Sequence, residues 1–106
     1  MTEADIYKAL GDPIRLEMVR RLANGAPHTI GELSQDLGVS RQGARKQLQV
    51  LVAADVVYLK QQGRETQVSL DTRTLQVARK FIAKLEQQWG ARLTALKNIV
   101  EKDAGE

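Results

Sequence analysis

The stretch TIGELSQDLGVSRQGARKQLQVL, residues 29–51, decides the fold. Thr29-Ile30-Gly31-Glu32 sets a hydroxyl at a helix N-cap and a carboxylate three residues on, the pattern of a capping box. It predicts a short helix from Ile30 to Leu37 with Ile30, Leu33 and Leu37 apolar. Gly38-Val39 reads as a tight turn, and Ser40 as the cap of a second helix from Arg41 to about Ala54. Two short helices joined by a glycine-containing turn make a helix-turn-helix. Helical hairpins with other roles share this pattern, so the faces of the second helix matter more than its presence.

At 100° per residue, with Ala44 at zero, Leu48 and Leu51 fall within about 40° and define the buried face. Gln42, Lys46 and Gln49 point the opposite way, Arg45 lies on the flank, and Arg41 falls nearer the buried side. The outer face therefore carries amide and cationic side chains with nothing to pack. Such groups pair with base edges, Arg bidentate to guanine or Gln to adenine, and with phosphates. The capping hydroxyls of Ser40 and Thr29 are placed to touch phosphate as well. Gly43 costs about 1 kcal/mol relative to alanine in a helix. It leaves room for another backbone, either a neighbouring helix or DNA.

Upstream, a helix is predicted over Glu3–Leu10, with Ile6, Ala9 and Leu10 on one side, ending at Gly11. Asp12-Pro13 then supplies an N-cap and a proline at the first helical position. The second helix runs from Pro13 to about Ala23, with Ile14, Met18 and Leu22 in one stripe, widened by Leu16 and Val19, and Asn24-Gly25 closing it. Downstream the period changes to two. Val57 and Leu59 alternate with Tyr58 and Lys60, and Val68 and Leu70 with Gln67 and Ser69. Gln62-Gly63-Arg64-Glu65 forms the tip of a β-hairpin between them. Asp71-Thr72 then caps a helix reaching about Lys102, and the tail from Asp103 to Glu106 is expected to fray.

That last helix carries apolar residues at Leu75, Ala78, Ile82, Leu85, Trp89, Leu93, Leu96 and Val100. At 1.5 Å per residue it would be on the order of 45 Å long, more than a body this small can cover. Part of the stripe needs a second chain, and Leu75, Ile82, Leu85, Trp89, Leu93 and Leu96 are the expected dimer contacts. Trp89 at helical spacing reads as dimer core in preference to the wall of a small-molecule pocket.

Composition narrows the classes. The 106 residues, 42% hydrophobic, fit one domain. Within it, residues 1–71 form the winged DNA-binding region and residues 72–106 the dimerisation helix. No apolar run is long enough to span a membrane, and MTEADIYKAL lacks an apolar signal core, so a cytoplasmic location is expected. The chain has no cysteine and a single histidine, His28, in a loop. No thiolate or metal centre is expected from them, and no cofactor. Nor is there a phosphate-cradling glycine loop or a readable nucleophile and base, so an enzyme is not expected. The net charge of +3 is unevenly spread. Residues 40–64 hold Arg41, Arg45, Lys46, Lys60 and Arg64 against Asp55 alone. Residues 1–39 carry six acidic groups against four basic, and residues 65–106 six against seven. The positive excess thus sits in one segment, as in a nucleic-acid footprint; a solvated surface gives the same distribution.

The order of elements is helices, helix-turn-helix, hairpin and long terminal helix. It defines a mainly α fold with a small β-hairpin wing, a winged helix-turn-helix with a C-terminal dimerisation helix. In this arrangement Lys60 and Arg64, with Gln62, lie on the wing that flanks a major-groove helix. Over nearly the whole chain the sequence resembles the ArsR/SmtB family of bacterial transcriptional repressors. The likeness rests on ALGDPIRLEMVRRL (9–22), on residues 29–51 and on VVYLKQQGRETQVSLD (56–71). Ala9, Leu10, Asp12, Pro13 and Arg15 match one family pattern, and Leu37, Gly38 and Ser40 another. The resemblance implies a homodimer on a palindromic operator of double-stranded DNA, released when an effector binds. It also shows where this chain departs. Family metal sensors place cysteines in the first helix of the helix-turn-helix, where this chain has Ser34 and Asp36. Others use a terminal helix bearing histidine, which is absent here. The ending with Phe81, Trp89, Gly90, Ala91, Arg92 and Leu93 looks like a metal-less branch of the family, whose inducers, small molecules among them, are mostly unknown. The competing reading is a winged-helix protein-interaction module without specific DNA binding.

Overall fold

The computed structural model describes residues 2–104; Met1, Gly105 and Glu106 lie outside the described residues. The elements are α1 (Glu3–Leu10), α2 (Pro13–Leu22), β1 (His28–Thr29), α3 (Ile30–Ser34), α4 (Arg41–Ala53), β2 (Val57–Gln62), β3 (Glu65–Leu70) and α5 (Thr72–Ala104). The expected hairpin pairs antiparallel, with Val57 opposite Leu70, Leu59 opposite Val68 and Lys60 opposite Gln67. A third strand joins it. β1 lies along β3 with His28 opposite Val68, so the helix-turn-helix is stitched to the wing by the residues that precede α3. Helix α5 takes in Asp103 and Ala104, the first two residues of the tail expected to fray.

Each helix start has a local cause. Thr2 and Asp5 exchange hydrogen bonds in a full capping box on α1. Asp12 accepts from the N–H groups of Ile14 (2.9 Å) and Arg15 (3.2 Å) at α2. Ser40 Oγ accepts from Gly43 N–H at 3.0 Å. The Thr29 box is only half made. Its hydroxyl accepts from Glu32 N–H at 3.1 Å, but the Glu32 carboxylate turns to His28 Nδ1 at 3.2 Å. Asp71 accepts from Arg73 N–H at the start of α5 and pairs with the Arg73 guanidinium, which holds its carboxyl below the usual 3.8. That contribution is present above the unfolded-state value and fades as pH falls through the lowered one.

Three expectations need correction. Helix α3 stops at Ser34, not Leu37: Gln35 is extended, Asp36 takes φ +54°, and Arg21 Nη1 donates to the carbonyls of Leu33 (3.2 Å) and Gln35 (2.5 Å). The tertiary donor captures the carbonyls and ends the helix after one turn and a half. Leu16 does not widen the α2 stripe; it is 45% exposed, because it lies about 160° from Met18 around the helix. Leu59 alternates correctly but is 44% exposed, since the wing runs out beyond the body and only Val57 of β2 is covered. The core itself gathers Met18 and Leu22 of α2, Leu33, Leu48 and Leu51 of the helix-turn-helix, and Val68 of the wing, with no polar or charged side chain buried among the described residues.

What organises these helices is polar and lies at the core's margin. Arg15 Nε donates to Ala9 O at 2.6 Å, Nη2 to Lys8 O at 3.1 Å and Nη1 to Gln47 Oε1 at 2.6 Å. One guanidinium thus closes the end of α1 and ties it to α4. Tyr7 fastens the other side of α1, its hydroxyl donating to Ala78 O at 2.6 Å and its ring tilted on Phe81 with centroids 5.9 Å apart. Replacing Arg15 by methionine keeps much of its length but removes three charge-assisted bonds. Arg15→Met is expected to lower stability by about 2 kcal/mol in urea unfolding, with the slope of the transition unchanged.

Candidate nucleic-acid interface

The first turn of α4 starts the helix with its polar side outward. Ser40 is extended (φ −64°, ψ 161°), its carbonyl accepts from Ala44 N–H at 2.9 Å, and the helix sets off with Ala44, Leu48 and Leu51 buried. The other side carries Arg41, Gln42, Arg45, Lys46 and Gln49, which together line one open groove. All five are exposed. Arg41, expected nearer the buried side, joins them because the first helical residue lies beyond the edge of the core. Among the described residues none of these five side chains has a hydrogen-bond or ion-pair partner. Gly43 meets neither a neighbouring helix nor open space. A Cβ there would stand 3.2 Å from Ser40 Oγ and 3.5 Å from Val39 Cβ, so the close neighbour is the helix's own cap.

The hydroxyls of Ser40 and Thr29 each accept from a backbone N–H, which leaves the hydroxyl proton free to donate outward. Thr29 lies at the start of α3, away from the α4 groove. Lys60 and Arg64 stand on the wing, also apart from it. Lys60 shares the outer face of the hairpin with the exposed Tyr58, opposite Gln67. Arg64 occupies the second position of a two-residue turn whose first, Gly63, has φ +64°, the arrangement of a type II′ hairpin turn. Gln61 braces that turn, donating to Gly63 O at 3.2 Å and accepting from the Thr66 hydroxyl at 2.8 Å. The tip is therefore shaped by neutral groups while its cation points free. Gln47, on the flank of α4, is the side chain that sequence reasoning passed over; Arg15 in the ALGDPIR stretch was the visible half of its contact.

Along α5, Ala78 is buried and Leu75 half-covered by the core of the same chain. From Ile82 onward the stripe lies bare: Ile82, Leu85, Trp89, Leu93 and Leu96 are exposed, Trp89 by 59%. The helix extends well past the body, giving a molecule 74 Å long and only 26 × 23 Å across. No helix among the described residues is long and apolar enough to cross a membrane, and no three potential metal ligands come together there.

A helix-turn-helix with a polar outer helix, flanked by a hairpin with a cationic tip, is the architecture of winged helix-turn-helix DNA-binding proteins. Residues 10–58 match a family described as a helix-turn-helix domain. The chain is 33% identical over 97 residues to the HTH-type transcriptional regulator Rv2034 of Mycobacterium tuberculosis, covering 92% of this chain and 87% of that one. A solved ArsR-like transcriptional regulator from Rhodococcus sp. RHA1 superposes with a TM-score of 0.78 at 30% identity, over 92% of this chain and 91% of the other. The homodimeric winged helix-turn-helix DNA-binding domain Mb0332 of Mycobacterium bovis shares the fold, with a TM-score of 0.61 at 23% identity over 85% and 80% of the two chains. The chain belongs to the ArsR family of winged helix-turn-helix transcriptional regulators. Ser40→Ala removes the cap that sets the course of α4 and is expected to cost about 1 kcal/mol in urea unfolding.

Proposed function

We propose that this regulator is a cytoplasmic homodimer that represses a nearby operon by binding a palindromic operator, without sensing metal through cysteines. The observation that carries the reading is the outer side of α4: five polar side chains, three of them cationic, line one groove and have no hydrogen-bond or ion-pair partner among the described residues. In the bound complex Gln42, Arg45 and Gln49 meet base edges in the major groove, and Arg41 and Lys46 meet bases or phosphates. Ser40 and Thr29 donate to phosphate, and Lys60 and Arg64 hold the backbone along the wing. The bare stripe of α5 from Ile82 to Leu96 supports the dimer, which matches two recognition helices to two half-sites. Release of DNA by a small-molecule effector follows from the family resemblance.

The deciding experiment is fluorescence anisotropy with the protein's own upstream intergenic DNA and a scrambled duplex of equal length, at two salt concentrations. Preference for the native fragment by about 1000-fold is expected. Equal, salt-sensitive binding to both would favour the protein-interaction module instead. In the same assay Arg45→Ala is expected to relax preference at one base position, at a cost of about 1–3 kcal/mol, whereas Lys60→Ala weakens both duplexes alike and lowers the salt slope by about one.

For the dimer, Leu85→Asp and Trp89→Asp should each sediment as monomer where the unaltered chain sediments as dimer. Dimers in both variants would show that another surface joins the chains. Trp89 is the only tryptophan, so its emission reports the same contact: a blue shift with rising protein concentration is expected as the stripe is covered.

A further inference from the structure

Apolar packing keeps α4 on the body, but it is non-directional. Ala44, Leu48 and Leu51 do not by themselves fix how far α4 is rotated about its own axis. Gln47 is the one polar side chain of α4 bonded to another helix among the described residues. It lies about 60° from Ala44 around the helix and about 170° from the middle of the outward groove, so it faces the body and not the solvent side. It is half-buried, with Oε1 accepting from Arg15 Nη1 at 2.6 Å. The guanidinium is planar, and two of its other donors are committed to Ala9 O at 2.6 Å and Lys8 O at 3.1 Å. A fork held by two main-chain carbonyls cannot swing to follow a moving partner. Helix α1, which carries those carbonyls, is itself fastened to α5 through Tyr7 and Ala78 at 2.6 Å.

We infer that Arg15 and Gln47 form a positioning pair, which sets the rotation of α4 so that its outward side chains meet base edges in register. The inference rests on the reading of α4 as the major-groove helix and adds what holds that helix true. Magnitudes explain why the angle matters. Side chains reach about 5–6 Å from a helix axis, so a turn of about 10° displaces them by about 1 Å. A hydrogen bond set near 2.9 Å is largely lost beyond about 3.5 Å. A bidentate contact from Arg45 or Gln42 to a base fails under that displacement. A lysine on a phosphate follows it with its flexible stem. Loss of the pair therefore removes sequence preference before it removes affinity, whereas a group that merely stabilised the fold would lower binding to every duplex in step with stability.

The test measures anisotropy on the native and scrambled duplexes for the unaltered protein and for Gln47→Leu, Gln47→Asn and Gln47→Glu, with urea unfolding of each alongside. Gln47→Leu removes the acceptor, Gln47→Asn withdraws it by one methylene, and Gln47→Glu restores it as a charge-assisted partner. Leu and Asn are expected to lose about tenfold on the native fragment while staying within about twofold on the scrambled one. Glu should return to within about threefold of the unaltered protein on the native fragment. Asn keeps the site readable if Leu does not fold. Equal losses on both duplexes, no loss in Leu and Asn, or a Glu variant no better than Leu would each overturn the pair while leaving DNA recognition standing. Equal binding of both duplexes by the unaltered protein would overturn DNA recognition, and the pair with it.

Discussion

Three helices depend on one cation. The last carbonyls of α1 have no partners within their own helix, and an apolar core offers none. Gly11 N–H reaches Lys8 O at 3.2 Å, and Arg15 donates to Ala9 O and Lys8 O from the first turn of the next helix. The sequence between them follows from that need. Asp12 caps α2 by accepting from the N–H groups of Ile14 and Arg15, Pro13 pre-sets the helical φ, and the backbone so fixed aims Arg15 back beneath α1. The Asp-Pro-x-Arg spacing is thus a short device for turning one helix end into the anchor of two others.

Arg21 repeats the logic six residues further along α2, ending α3 where Arg15 ends α1. Together the two arginines convert the exposed carbonyl ends of short helices into tertiary contacts, at positions where hydrophobic burial is slight. Surface pairs such as Arg20–Glu17 and Lys97–Glu101 contribute little beside them, being exposed and screened. The wing is joined to the same body through backbone bonds. Asp55 takes a left-handed φ of +55° after α4, Val56 N–H donates to Leu51 O at 3.0 Å, and Asp71 N–H donates to Val56 O at 2.9 Å. The end of α4, the base of the wing and the start of α5 therefore meet at one point.

Much of this was legible in the residues. Periodicity placed α1, α2, α4 and α5 and both hairpin strands, and the wheel drawn on Ala44 separated the buried side of α4 from the side that carries Gln42, Arg45, Lys46 and Gln49. Capping chemistry placed the starts at Pro13, Ile30 and Arg41. What stayed hidden was set by partners distant in the chain. Two residues of β1 are too few to show a period, and their pairing with Val68 and Gln67 spans 40 and 38 positions. The early end of α3 depends on Arg21, and Leu59 alternates as a buried strand residue although nothing lies over it. Gln47 looked like one more polar residue on a polar helix; only its meeting with Arg15, 32 positions away, gives it a separate part.

Among the described residues the outward polar side chains of α4 make no hydrogen bond or ion pair with the scaffold that aims them, and Arg15 grips main-chain carbonyls at Lys8 and Ala9 that any residue would provide. The two kinds of constraint consequently fall on different positions. A lineage built on this chain can drift at 42, 45, 46 and 49 without loosening its framework, while Arg15 stays tied to Asp12 through its own N–H and to Gln47 through its side chain. New regulatory circuits can then arise by duplication and a handful of substitutions, with the inherited architecture indifferent to which genes it is set to govern.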